Sequence, residues 1–362
     1  MRRRILSLLA VAALAVSGTA ACTADVSGAG GKGGRPRIGV ILPDSKSSAR
    51  WETADRKYLA AAFKAAGVDY EIQNAQNDKG AFTTLAEQMM TQGVDVLMIV
   101  NLDSGTGKAV LDKARNAGVA TIDYDRMTLG GSARYYVSFD NTAVGTLQGQ
   151  GLVRCLEAAK ATRPVIAELN GSQTDNNSTL FKEGYDAVLA PKFASGEYLK
   201  GPDQWIEEWD NTRAGTTFEQ MMTAQPNIGG VIAANDGVAN AAINVLKKQG
   251  LNGHIPVTGQ DATAQGLQNI LNGDQCMTVY KDVRREAAAA AKLAIALARG
   301  ETGVTTTKVY DRVGKRDVDA ILLDPKAITR DNVRDVIDDG YVPAADVCTP
   351  DFAAKCAAAG IK

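Results

Sequence analysis

The chain has 362 residues, 45% of them apolar and 22% charged, an ordinary globular composition with enough apolar material for more than one core. Forty basic against forty-one acidic side chains leave a formal net charge of -1, which excludes the basic footprint of a nucleic-acid binder and argues against any polyanionic partner.

Arg2, Arg3 and Arg4 precede an apolar run over 5–16, and small residues then lead to Cys22, the pattern of an export leader. Small residues directly before a lone cysteine resemble a bacterial lipobox, with Thr19 standing where leucine is usual; ordinary cleavage near Ala21 is the alternative. Acyl chains contribute about 0.8 kcal/mol per buried methylene, so more than one at Cys22 would anchor the protein to the outer face of the cell membrane. Residues 23–36 have the glycine-rich composition of a flexible tether.

From Arg37 the chain repeats one unit: an apolar strand, a polar turn, and an amphipathic helix ended by glycine. RIGVILP, VDYEIQNA, VDVLMIVN and VATIDYD read as four strands, separated by helices over about 51–66, 82–92 and 108–117. Each helix closes on a glycine followed by valine (Gly67, Gly93, Gly118), a left-handed cap feeding a buried strand. Strands alternating with helices predict a parallel, doubly wound α/β sheet, whose ligands lie beyond the carboxyl ends of the strands.

The stretch 120–148 closes two short strands on polar clusters and then starts a helix, and 137–141 reads as a strand crossing into a second domain. The same rhythm resumes there, with strands PVIAELNG, a Trp-bearing segment at 204–209, GGVIAAND and IPVTGQD. The segment CMTVYKDV reads as a second crossing and 317–324 as the site of a third, followed by a last helix over 331–338. The expected organisation is a leader over 1–22 and a tether over 23–36. One lobe then comprises 37–139 plus 282–318, a second 140–281 plus 319–345, and a cysteine-bearing tail spans 346–362. Two Rossmann-like domains joined by three crossings suit hinge closure over a ligand.

Export permits disulfides, and Cys155, Cys276, Cys348 and Cys356 allow three pairings. A clamp between Cys348 and Cys356 is favoured, leaving Cys155 with Cys276. No C-x-x-C occurs and His254 is the single histidine, so a metal site is the weaker reading.

Catalytic motifs fail on inspection. SGTGKA at 104–109 lacks the first glycine of a phosphate loop, because Leu102 stands there, and Ala109 stands where a hydroxyl is required. There is no G-x-S-x-G elbow, and His254 lies between a helix and a strand, so a Ser-His-Asp triad is not expected. Polar residues do recur at strand ends: Asp125 and Arg126, Asn235 and Asp236, Gln260 and Asp261, with Lys281 in the second crossing. Singly each is an ordinary turn or cap residue, Asp236 above all; together they offer the mixed donors and acceptors that a polyhydroxylated ligand requires. Trp51, directly after Arg50, opens a helix at the mouth of the expected cleft, and aromatic faces suit a sugar's C–H faces, although core packing is the commoner use of tryptophan. A glycosidase carboxylate pair is the enzyme alternative.

The segments YDRM at 124–127, YYVSFDNTAVGTLQ, TDNNSTLFKEGY, DQWIEEW, NDGVANAAINVLKKQGLNGHIPVTGQDAT and CMTVYKDV closely resemble, in order, the D-xylose-binding branch of the periplasmic-type solute-binding proteins of sugar ABC importers. The resemblance runs from about Ile38 to Tyr341. It implies two lobes closing around one monosaccharide, D-xylose or alternatively glucose or another aldose, by a monomer without catalysis or cofactor that delivers it to importer permease subunits. Presentation of the sugar to a membrane histidine kinase or chemoreceptor is the alternative. By the same resemblance Arg50, Asp125, Arg126, Asn177, Asn235, Asp261 and Lys281 match positions that bind hydroxyls, and Trp51 and Trp209 match aromatics that contact the ring; Asn176 could take the role of Asn177. Lys182 stands where the family has Arg in a Phe-Arg-x-Gly segment. It lacks the planar fork that grips two hydroxyls, and so bears on which sugar is bound and how tightly.

Overall fold

A computed structural model describes residues 35–361. The leader, Cys22 and tether residues 23–34 lie outside the described residues.

The chain opens with β1 (Arg37–Leu42), a π-helical turn at Trp51–Asp55 running into α1 (Arg56–Ala66), β2 (Asp69–Asn74), α2 (Lys79–Thr91), β3 (Val96–Ile99), α3 (Ser104–Asn116), β4 (Ala120–Tyr124) and β5 (Tyr135–Phe139). It continues through α4 (Asn141–Ala158), β6 (Val165–Asn170), α5 (Asn176–Ala194), β7 (Leu199–Trp205), a short turn at Glu207–Trp209, α6 (Asn211–Ala224), β8 (Ile228–Ala233), α7 (Asp236–Lys248), α8 (Ala264–Asn272) and β9 (Thr278–Tyr280). The last part comprises α9 (Val283–Ala298), β10 (Thr307–Asp311), β11 (Arg316–Leu323), β12 (Lys326–Ile328), α10 (Arg334–Asp338), α11 (Ala344–Val347) and α12 (Ala353–Ala358).

One sheet has seven strands in the order β10-β11-β5-β4-β3-β1-β2, parallel throughout except for the β10–β11 hairpin. Its central strands are buried along their length because helices cover both faces. Leu59, Phe63, Ala290 and Ala294 of α1 and α9 fill one face; Phe82, Met89, Val110 and Leu111 of α2 and α3 fill the other. Gly67, Gly93 and Gly118 all take the expected positive φ where a helix turns back into a strand.

The second sheet is smaller than the matching half that the sequence suggests. Only β7, β6 and β8 form it, in that order and parallel, while β9 pairs antiparallel with β12 in a separate ribbon. The IPVTGQD segment joins by a single bridge, Val231 to Val257. Pro256 has no N–H to extend the ladder, and Asp261 and Ala262 turn the chain away at φ 97° and 50°. The third crossing also differs: β11 pairs with β5 as far as Leu323, so residues 319–323, expected with the second lobe, lie in the seven-stranded sheet. Thr307–Asp311, which the sequence reading did not assign, is one of its two edge strands.

Cys155 of α4 pairs with Cys276 before β9, and Cys348 with Cys356 in the tail, with Cα separations of 6.4 and 5.8 Å. The tail is packed rather than loose: Val342, Val347, Cys356 and Ile361 join Leu267, Ile270 and Leu271 of α8 in one core. No described helix is long and apolar enough to cross a membrane.

Candidate functional site

Parallel strands deliver their carboxyl ends to one edge, and there six helices start on an aspartate side chain: Asp78, Asp103, Asp140, Asp175, Asp210 and Asp282. This is the plain N-cap use of a strand-end acid. Asp125 and Asp261 are different. Each has positive φ, 61° and 97°, and neither caps a helix, so the strand ends present their carboxylates instead to the space between the two sheets. Asp236, expected as a cap, is not one; Asn235 caps α7 by accepting from Val238 N, while Asp236 is buried and accepts from Gln275, Thr278 and Thr263.

Nine of the ten sequence-predicted site residues line one narrow cavity of about 30 Å³: Arg50, Trp51, Asp125, Arg126, Asn177, Trp209, Asn235, Asp261 and Lys281. All are nearly inaccessible to solvent. The seven-stranded sheet supplies Arg50 and Trp51 after β1 and Asp125 and Arg126 after β4. The remaining five come from the smaller sheet, its helices and the end of β9.

The charges are arranged as pairs. Arg50 grips Asp55 through two hydrogen bonds of 2.9 and 2.8 Å, and reaches Asp125 at 2.8 Å and Glu286 at 2.6 Å. Arg126 lies 3.0 Å from Asp175 and donates to Asn101 O. Lys281 stands 3.5 Å from Asp261 and 3.8 Å from Asp125. Burial pushes the Asp125 carboxyl up, but Lys281, Arg50 and Arg126 outweigh it and hold the group below its ordinary value. Glu286 goes the other way: burial raises it well above the usual carboxylate range, Arg50 opposes, and the Asp125 and Asp55 charges add to the rise. Burial likewise raises Asp175 despite Arg126. The site thus holds fixed donors, a charged acceptor in Asp125, and carboxylates that retain protons more readily.

The tryptophans are held by polar ends and stacked cations. Trp51 donates to Ser47 Oγ at 3.2 Å and carries Arg50 and Arg126 over its ring at 4.5 and 5.5 Å. Trp209 donates to Asp175 at 3.2 Å and packs against Gly171, where any Cβ would overlap its ring. Contacts cross the cavity between the two sheets' elements: Asn177 to Asp125, Ser48 Oγ to Asp261 at 3.3 Å, and Asn235 Nδ2 to Ser47 O at 3.4 Å.

Lys182 is the exception. The structure turns its ammonium away from the cavity onto Glu168, Asp203 at 2.9 Å and Asp186 at 3.3 Å, while Phe181 lines the cavity in its stead. Residues 181 and 182 point to different sides of α5, and three nearby carboxylates attract the cation more than the cavity does.

Sequence reasoning missed Asp55, Asp175 and Glu286. The first two lie close to residues already noticed, and Asp175 heads a capping pattern. Glu286 had a readable signal: it is the one acid among the buried positions of α9, in phase with Val283, Ala287 and Ala290. Among the described residues no cluster of three or more His, Cys, Asp or Glu is arranged to hold a metal ion.

Residues 38–302 match the family model described as a periplasmic binding protein domain. The chain is 34% identical over 307 residues to the D-xylose-binding periplasmic proteins of Haemophilus influenzae and Escherichia coli, covering 84% of this chain and 90% of each relative. Among solved structures it is similar to a carbohydrate transporter solute binding protein from Chloroflexus aurantiacus in complex with D-glucose. The two share 32% of residues with a TM-score of 0.77, over 85% of this chain and 97% of that one.

Proposed function

The chain belongs to the periplasmic binding protein family, and on that premise we propose that it is an extracytoplasmic receptor for one monosaccharide, D-xylose or a closely related aldose, without catalytic activity. The observation that carries this reading is the convergence of nine buried donors, acceptors and aromatic rings, drawn from both sheets, on one cavity. A pyranose has hydroxyls around its rim and C–H faces above and below. Arg50, Arg126, Lys281 and the amides of Asn177 and Asn235 supply donors to the rim, Asp125 and Asp261 supply acceptors, and Trp51 and Trp209 supply the faces. Each hydroxyl left unpaired in such a closed site costs about 1–3 kcal/mol, which is where specificity arises.

The two sheets with their helices act as lobes, joined at 139–141, 281–282 and 324–325, and rotate apart to admit the sugar. Sugar bound between them adds contacts that only the closed form makes, so it shifts the population toward closure. Permease subunits of an ABC importer then recognise the closed form. Lipid attachment at Cys22 tethers this receptor to the outer face of the membrane, and it works as a monomer. Mass spectrometry of the purified membrane-associated protein would find an acylated Cys22; an unmodified mature N-terminus near residue 22 would remove the anchor from the proposal.

A thermal-shift panel of xylose, glucose, galactose, arabinose and ribose tests the choice of sugar. Xylose should give the largest rise in melting temperature, because a ligand that binds only the folded state stabilises it by mass action. A larger rise with another aldose would reassign the ligand.

A further inference from the structure

We propose that Gln260 contacts the sugar directly and that its side-chain carbonyl recognises one ring hydroxyl; this rests on the sugar-receptor reading of the cavity.

Gln260 lines the cavity and is buried, and its Oε1 has no hydrogen-bond partner. A buried carbonyl without a donor is costly, and native structures rarely keep one unless a partner arrives. Gln148 and Gln275 also leave Oε1 without a partner, but their amide nitrogens are anchored on Ala233 O and Asp236, and of the three glutamines only Gln260 lines the cavity.

The backbone holds Gln260 in place. Its carbonyl accepts from Asp236 N at 2.9 Å, and the next residue's N–H is fixed on Val279 O at 2.9 Å. Two consecutive non-glycine residues with positive φ, Asp261 and Ala262, follow it, the kind of local strain that persists where a site requires it. The turn thus aims two adjacent side chains into one cavity.

The chemistry of the lining leaves a role open. Arg50, Arg126 and Lys281 can only donate. Asp125, Asp175 and Asp261 can only accept when ionised, and each already faces a cation within 4.0 Å. Gln260 brings a neutral acceptor that no protein group uses. A sugar O–H is the donor that fits it, and a deoxy position at that carbon would leave the carbonyl orphaned.

The test is a cycle between residue and ligand. Affinities of the wild type, Gln260→Leu and Gln260→Glu are measured by calorimetry for the preferred aldose and its single-deoxy analogues, with thermal unfolding as a folding control. The wild type should discriminate against one analogue by about 10- to 100-fold. Gln260→Leu should bind the parent sugar more weakly and lose discrimination at that position alone, whereas Gln260→Glu, which keeps an acceptor, retains it. Should the leucine variant fail to fold, Gln260→Asn, too short to reach, should show the same selective loss. A Gln260→Leu or Gln260→Asn variant that discriminates among all analogues as the wild type does would overturn the inference while leaving the receptor reading intact. A wild type that binds no aldose would remove both.

Discussion

Asn177 donates through one nitrogen to both the backbone carbonyl and the carboxylate of Asp125, at 3.0 and 3.1 Å. Asn177 stands in the first turn of α5, packed on the smaller sheet, and Asp125 ends β4 of the larger one. The pair therefore ties the two lobes together at the floor of the cavity. Tyr136 and Ser138 donate to the same carbonyl, at 3.1 and 2.8 Å, and Asn141 braces Asn177 Oδ1 at 2.9 Å. These cavity residues and the residues beside the first crossing form one hydrogen-bonded network.

Asn177→Ala should consequently weaken sugar binding by about 10-fold or more, since a hydrogen bond to a charged acceptor is worth about 1.5–3 kcal/mol. The loss should fall mainly on the dissociation rate, measured by stopped-flow fluorescence of Trp51 and Trp209, because the contact exists only when the lobes are closed. An unchanged dissociation rate would show that this pair does not hold the closed form.

Lys182 belongs to an ion cluster behind the cavity, so Lys182→Met should leave sugar affinity within about 2-fold and the order of preference among aldoses unchanged. Stability should suffer instead, and more so as pH rises above about 7, where an ionised Glu168 would be left buried without its cation. Denaturant unfolding and calorimetry on the same variant separate the two effects. A changed sugar preference would return Lys182 to the binding site.

The same cluster predicts a pH dependence. Burial raises the Glu168 carboxyl to about 7, against the pull of Lys182 and with help from Asp186 and Asp203. Of the three acids it is the most buried, so it is the one that takes the proton. A group whose folded pKa lies above its unfolded value contributes stability that is complete below the unfolded pKa and is lost as pH rises through the folded one. The contribution of Glu168 should therefore fade between about pH 4.5 and 7. Glu168→Gln should flatten the decline of melting temperature between pH 5 and 8; an unchanged slope would assign the decline to Asp123 and Asp236, which burial also raises to about 7.

At the rim, Arg312 in the β10–β11 turn makes two bonds to Glu183 of α5, at 2.5 and 3.1 Å, joining the two lobes on the outside. Both side chains are exposed enough for solvent to screen them, and such pairs contribute about 0.2–1 kcal/mol. Arg312→Ala should raise the dissociation rate up to about 5-fold at low salt and have little effect at high salt. The double reversal Arg312→Glu with Glu183→Arg should restore the slow rate; failure to do so would mean that the pair is incidental to closure.

Much of the fold was legible because local rules agreed: apolar strands of parallel-sheet type alternating with helices, and glycine caps with positive φ. The seven-stranded sheet follows that grammar closely. The smaller sheet does not, since Pro256 and the turn at Asp261 stop a strand whose apolar residues alone suggested one, and side-chain burial cannot report which backbone donors are missing. Within the site, the strand-end residues were visible as a recurring pattern. Side-chain direction was not. Phe181 and Lys182 are neighbours in sequence, and only the pitch of α5 and the carboxylates at 168, 186 and 203 decide which of them meets the cavity. The periodicity of α9 marks Glu286 as buried but not its partner, because Arg50 is brought to it by tertiary packing across 236 residues of chain; Asp55 meets the same Arg50 locally, five residues on.

The most direct measurement is a calorimetric titration of the purified protein with D-xylose, with the other aldoses as comparators. Saturable binding of one sugar per chain is expected, and its loss when Asp125 is replaced by Ala. Absence of saturable binding with every aldose, or equal affinity in the Asp125→Ala variant, would contradict the receptor reading.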